Sequence, residues 1–116
     1  MGKAGRALAE YRRICAELPW DWRSQISLGN ALLERGEVDE AIGHLGKAVE
    51  LKPGEELSHL VLAVGLERKG DLEGAIKEYR EVRNRTRTGQ NRSAASDKMK
   101  ELKQRQSREG SRYTSA

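Results

Sequence analysis

The chain is 116 residues long, with 36% hydrophobic and 34% charged residues, no Phe, two Trp and three Tyr. At a mean hydropathy of −0.81 it has no apolar run near the ~18 residues of a membrane-spanning helix, and its length allows one small domain. The net charge of +4 is unevenly placed: residues 1–82 carry twelve Lys+Arg against fifteen Asp+Glu, whereas residues 83–116 carry ten against three.

Met1-Gly2-Lys3-Ala4 leads into a charged stretch without an apolar leader, so no secretory signal is visible. The lone Cys15 excludes an internal disulfide and a Cys-rich zinc site. His44 and His59 are too few for a metal centre or a His-based catalyst. These features predict a cytoplasmic protein with no cofactor.

The first predicted element is a helix carrying Ala7, Tyr11, Ile14 and Cys15, ended by Pro19. Trp20 and Trp22 flank the turn that follows, either stapling units together or forming an exposed anchor. Asp21 is the N-cap candidate for a helix over residues 22–35, whose stripe is Ile26, Leu28, Gly29, Leu32 and Leu33. Gly36 ends it, because glycine tolerates the left-handed conformation at a helix C-terminus. A second helix over residues 38–51 carries Ala41, Leu45 and Ala48 on one face, has Asp39 and Glu40 in its first turn, and stops at Pro53.

Adding 34 to these numbers regenerates the pattern without a gap. Leu28-Gly29, Leu32, Gly36, Ala41, Leu45 and Ala48 become Leu62-Ala63, Leu66, Gly70, Ala75, Tyr79 and Val82. Subtracting 34 gives a half unit, with Pro19 set against Pro53. The period divides residues 1–87 into a half unit at 2–20 and full units at 22–55 and 56–87. Each full unit is two antiparallel helices that are marginal alone and stabilised by stacking on their neighbours. Residues 84–92 hold no apolar residue and read as a linker. Residues 93–107 predict a basic helix with Ser93 as N-cap and only Ala94, Ala95, Met99 and Leu102 as apolar content, a solvating cap over the last unit. Residues 108–116 are expected to be disordered.

Leu28-Gly29-x-x-Leu32 with Ala41-x3-Leu45, Ala48 and Pro53, and Leu62-Ala63-x-x-Leu66 with Ala75-x3-Tyr79, resemble the tetratricopeptide repeat family over about residues 2–87. The pattern departs from the family where Gln25 and His59 hold its Trp slot, Leu32 and Leu66 its Tyr slot, and Arg87 its final Pro slot. The resemblance implies an all-α, right-handed solenoid of antiparallel helix pairs with a C-terminal capping helix. It also implies a concave groove lined by the first helix of each unit, binding a protein or peptide without catalysis.

Helical spacing then points to Arg23, Ile26, Ser27, Asn30 and Glu34 in one groove helix and Leu57, Leu60, Val61, Val64 and Arg68 in the next. The stripe Leu57, Leu60, Val61 and Val64 is either an open strip for a partner or packing inside the chain. Ile26 stands where a carboxylate-gripping member of the family has Lys, which disfavours that kind of clamp. Two and a half units sit near the minimum of about three for a stable array, so marginal stability or a homodimer is expected. The half unit has no first helix, which fits a fragment, a truncated gene product or a chain that borrows a helix by self-association. The competing function is weak binding of nucleic acid or another anionic partner through Arg83, Arg85, Arg87, Arg92, Lys98, Lys100, Lys103, Arg105 and Arg108, with Tyr113 the only aromatic available for stacking.

Overall fold

The computed structural model describes residues 2–86 and 90–114. Six helices follow one another: α1 (Lys3–Glu17), α2 (Trp22–Glu34), α3 (Val38–Leu51), α4 (Glu56–Lys69), α5 (Leu72–Arg85) and α6 (Gln90–Thr114). Among the described residues there is no strand. Each helix packs on the next in the chain, with the broadest contacts inside the pairs α2–α3 and α4–α5. The architecture is an all-α solenoid of stacked helix pairs.

The ends of the first helices repeat with the same period. Asp21 accepts from the Arg23 N–H and the Ser24 hydroxyl to start α2, and Glu55, 34 residues later, accepts from the Leu57 N–H to start α4. Asp71 accepts from the Gly74 N–H at 2.9 Å to start α5. Gly36 (φ 80°) and Gly70 (φ 89°) hold the left-handed position after α2 and α4. The N–H groups of Glu37 and Asp71 close these turns onto the carbonyls of Leu32 and Leu66. α1 and α3 end just before Pro19 and Pro53, as the restriction on a residue preceding proline requires.

Ala41, Leu45 and Ala48 of α3 and Ala75, Tyr79 and Val82 of α5 are at most 2% exposed. Glycine at position 29 lets α2 approach α3 closely: a Cβ there would lie 2.5 Å from Leu45 Cγ. One apolar cluster joins α1 to α4 and a second joins α4 to α6. α4 ties them together, with Leu62 in the first, Ala63 in the second and Leu66 against both.

A polar contact also repeats at 34 residues. Gln25, 2% exposed, donates to the Pro19 carbonyl at 3.1 Å and accepts from His44 Nδ1 at 2.8 Å. His59, 5% exposed, donates from Nε2 to the Pro53 carbonyl at 2.7 Å and meets Glu78 through Nδ1 at 2.7 Å. Each unit thus ties its first helix to the turn before it and to its second helix, with different residues doing the same work. His59 is a packing residue by position, but it earns its place through hydrogen bonds, because a buried polar group without partners is costly.

The C-terminal segment differs from the sequence-based expectation. α6 starts at Gln90, within the stretch taken as linker and ahead of Ser93, and runs to Thr114 through most of the residues expected to be disordered. Residues 87–89, including the Arg87 slot, and residues 115–116 lie outside the described residues, as does the side chain of Tyr113. Ala95, Met99 and Leu102 are buried against α5, whereas Ala94 is exposed. Three inward residues over two turns suffice to seat the helix, which explains why so weak a stripe still packs.

Candidate functional site

The backbones of α2 and α4 approach each other closely, while those of α1 and α3, of α3 and α5, and of α4 and α6 do not. Arg68 of α4 reaches across to the Leu33 carbonyl of α2 at 2.7 Å. This hydrogen bond adds to the one that the Leu33 carbonyl accepts from the Gly36 N–H at the end of α2.

Three clefts lie along α2 and α4. One, of about 460 Å³, is lined by Ala7 and Tyr11 of α1 with Ser27, Asn30, Ala31 and Glu34 of α2. A second, of about 220 Å³, is lined by Glu55, Glu56, Leu57, Leu60 and Asn91. A third, of about 340 Å³, has Val64, Glu67, Arg68, Tyr79, Lys98 and Arg105 around it. A larger cleft, about 630 Å³, lies away from this row between α5 and α6, among Asp71, Lys77, Arg80 and Lys103.

The residues expected to form a groove are thus distributed rather than gathered. Ser27, Asn30 and Glu34 line the α1–α2 cleft. Leu57 and Leu60 line one α4–α6 cleft, and Val64 and Arg68 the other. Arg23 is exposed and stacks over Trp22, 5.2 Å from the ring centre, outside all three. Ile26 is 6% exposed; it belongs to the interior and offers a ligand almost no surface.

The apolar stripe on α4 is not an open strip. Leu60 packs against the α4–α6 cluster, Val61 and Val64 pack against the α1–α4 cluster, and only Leu57, at 48% exposure, stands largely free. Two apolar faces are needed on α4 because it is the middle helix, with α2 and α3 on one side and α5 and α6 on the other.

The α4–α6 clefts contain residues that the repeat does not single out. Glu67, at 17% side-chain exposure, accepts from the Tyr79 hydroxyl at 3.0 Å and from Lys98 at 3.0 Å, with Arg105 at 3.8 Å. Burial, reinforced by the Glu67 charge, pushes the Tyr79 phenol well above its usual range. The hydrogen bond to Glu67 likewise holds Lys98 protonated beyond the usual lysine range. The only signal for these partners in the sequence is the row of basic residues in α6, which groups them with phosphate-binding candidates instead. Arg92, bonded to the carbonyls of Arg83 and Thr86, and Arg85, paired with Glu81, are also engaged within the chain. The basic segment is therefore partly neutralised where it folds back.

The two tryptophans part company. Trp22 is held between Arg23 and Lys52, whose ammonium sits 4.3 Å from the ring centre, linking the turns after α1 and α3. Trp20 is 65% exposed. Cys15 is buried, and desolvation raises its thiol above the usual range. Among the described residues no group of three or more His, Cys, Asp or Glu is placed to hold a metal ion, and no helix is long and apolar enough to cross a membrane.

Residues 1–56 and 26–92 match the family model described as tetratricopeptide repeat. The fold is similar to the Yersinia enterocolitica type III secretion translocator chaperone SycD, with a TM-score of 0.83 at 19% identity over 91% of this chain and 76% of that one. It is also similar to that chaperone in complex with a peptide of the translocator YopD: TM-score 0.81, 19% identity, 90% and 83% of the two chains. The TPR2B-domain:pHsp70 complex of yeast Sti1 matches with a TM-score of 0.79 at 18% identity over 88% and 84%. No curated protein sequence matches the chain.

Proposed function

The chain belongs to the tetratricopeptide repeat family, and on that premise we propose that it is a protein-interaction scaffold whose inner face binds a peptide or a partner helix. The observation that carries this reading is the pair of clefts between α4 and α6. Their apolar residues, Leu57, Leu60 and Val64, are bordered by charged groups of both signs, including Glu55, Glu56, Arg68, Lys98 and Arg105. Partly exposed apolar floor with polar rims is what a bound peptide uses for affinity and register. Two solved structures of this fold support it from outside: SycD with a peptide of YopD, and the TPR2B-domain:pHsp70 complex of Sti1. A cytoplasmic setting is part of the proposal, resting on a single, free cysteine.

The test is selection of binding peptides from a random library, followed by mapping of the bound peptide through backbone amide shifts. The expected perturbations fall on α4 and α6, and Leu57→Glu abolishes binding while the far-ultraviolet spectrum stays helical. Leu57 is suited to this because it is half exposed, whereas a charge at Leu60 would also strike the core. Shifts confined to α3 and the outer face of α5, or full binding by folded Leu57→Glu, refute the reading.

A further inference from the structure

α1 carries the same face as α3 and α5. Ala7, Tyr11 and Ile14 stand 34 residues before Ala41, Leu45 and Ala48, and 68 before Ala75, Tyr79 and Val82. The six residues of α3 and α5 are all but sealed, because α2 and α4 lie over them. On α1 the equivalent residues stay partly open: Ala7 is exposed and Tyr11 half-buried, both lining the 460 Å³ cleft, and Ile14 is half-buried. Tyr11 already packs at the edge of the α1–α4 cluster, so whatever covers it continues an existing core.

We propose that this face is where a second copy of the chain docks, α1 against α1 in antiparallel register across a two-fold axis. The helix that covers such a face elsewhere in the molecule runs antiparallel to it, since α2 and α3 are joined by a tight turn at residues 35–37. A two-fold axis normal to α1 supplies an antiparallel helix automatically, and the same patch serves both subunits.

The residue pattern is self-complementary in that register. With residue i opposite residue 21 − i, Ala7 meets Ile14 of the partner subunit. Small then faces large, as Gly29 faces Leu45 inside the chain. Tyr11 falls opposite Glu10 of the partner subunit, one step from its own copy at the axis. Lys3 and Glu17 lie on one flank at opposite ends of α1, so antiparallel pairing sets Lys3 diagonally beside Glu17 of the partner subunit twice; parallel pairing would set like charges together. Glu10 approaches its own copy, but Arg13 of the same helix bridges Glu10 and Glu17 and offsets their charge. Arg12 is turned inward, onto Glu37 and Glu40 of α3, which leaves the face itself uncharged. Two 15-residue helices make an interface at the low end for stable pairs, below about 1,200 Å², so this dimer separates on dilution.

Sedimentation velocity over a wide concentration range tests the proposal. The native chain is expected to pass from monomer to dimer. Ala7→Glu abolishes the dimer with helicity unchanged, because Ala7 has no interior contact to lose in the monomer. Lys3→Glu weakens association about tenfold by placing two carboxylates together, and Lys3→Glu with Glu17→Lys restores it. A chain that stays monomeric throughout overturns the proposal, as does capture of a helix from another protein on this face by a monomer. A dimer that survives Ala7→Glu, or a charge exchange that fails to restore pairing, overturns it too. Peptide binding between α4 and α6 involves none of these residues, so the two readings fail independently.

Discussion

Substituting alanine for glycine is expected to have opposite effects at two sites in adjacent helices. At Gly29 the new methyl would sit 2.5 Å from Leu45 Cγ and 2.6 Å from Leu45 Cδ2. Leu45 is fully buried, and Cγ is its branch point, so the contact is not relieved by swinging a free end. Overpacking of this kind costs about 1–3 kcal/mol, and the gain in helix propensity returns only about 1 kcal/mol. The net expectation for Gly29→Ala is a loss of up to about 2 kcal/mol, read as a Tm lowered by up to about 8 °C. At Gly43, in the middle of α3, a Cβ meets nothing within 4 Å. Gly43→Ala keeps the whole propensity gain and raises Tm by about 4 °C. Thermal unfolding followed by circular dichroism, at one protein concentration for all variants, measures both. Adding Leu45→Val to Gly29→Ala should cost less than the two single changes together, because the shorter side chain vacates the contested space. Equal stabilisation by the two alanines would refute the claim that the α2–α3 approach is set by the missing Cβ.

The repeating polar contact makes a second prediction. His59→Ala strands Glu78 and the Pro53 carbonyl in the interior and costs about 3 kcal/mol; His59→Gln with Glu78→His copies the Gln25–His44 arrangement and recovers most of that loss in urea unfolding. A third concerns pH. Burial, with help from Arg12 and Lys47 and against the pull of Glu40, lowers the His44 pKa below its ordinary value. The unfolded chain therefore takes up a proton first as pH falls through about 6.5, and stability drops; His44→Gln should flatten the fall in urea midpoint between about pH 7 and 5. A fourth runs the other way. Tyr79 titrates higher folded than unfolded, so its contribution is intact below about pH 10 and lost above it; Tyr79→Phe should reduce the steepness of alkaline unfolding.

The periodic elements were legible because their causes are local. Asp21, Gly36, Pro53 and Gly70 act on the backbone within a few residues of themselves: α2 starts after Asp21 and ends before Gly36, α3 ends before Pro53 and α4 ends before Gly70. α6 was less legible. Its start at Gln90 has no strong capping residue and its end has no proline or C-cap glycine signal, so neither end was marked in the sequence, and only Ala95, Met99 and Leu102 seat it on α5. Among site residues, the spacing placed Asn30, Leu57, Leu60, Val64 and Arg68 along clefts, but it could not distinguish them from Ile26, which has the same periodicity and is buried. Periodicity tells which residues share a helix face. It does not tell how many neighbours that face meets.

What the sequence determined by itself is the helical unit, its 34-residue period and the small-to-large matching of stacked faces, since each depends on residues near one another or related by a fixed interval. What only the tertiary structure decided is which of those faces remain open. α4 lies between two pairs and buries most of its apolar surface against both, α6 returns with Lys98 and Arg105 to meet Glu67, and α1 carries a face like those of α3 and α5 that, among the described residues, only α2 covers in part. Exposure is a property of the assembled neighbours, and two identical stripes differ in function when one is covered and the other is not.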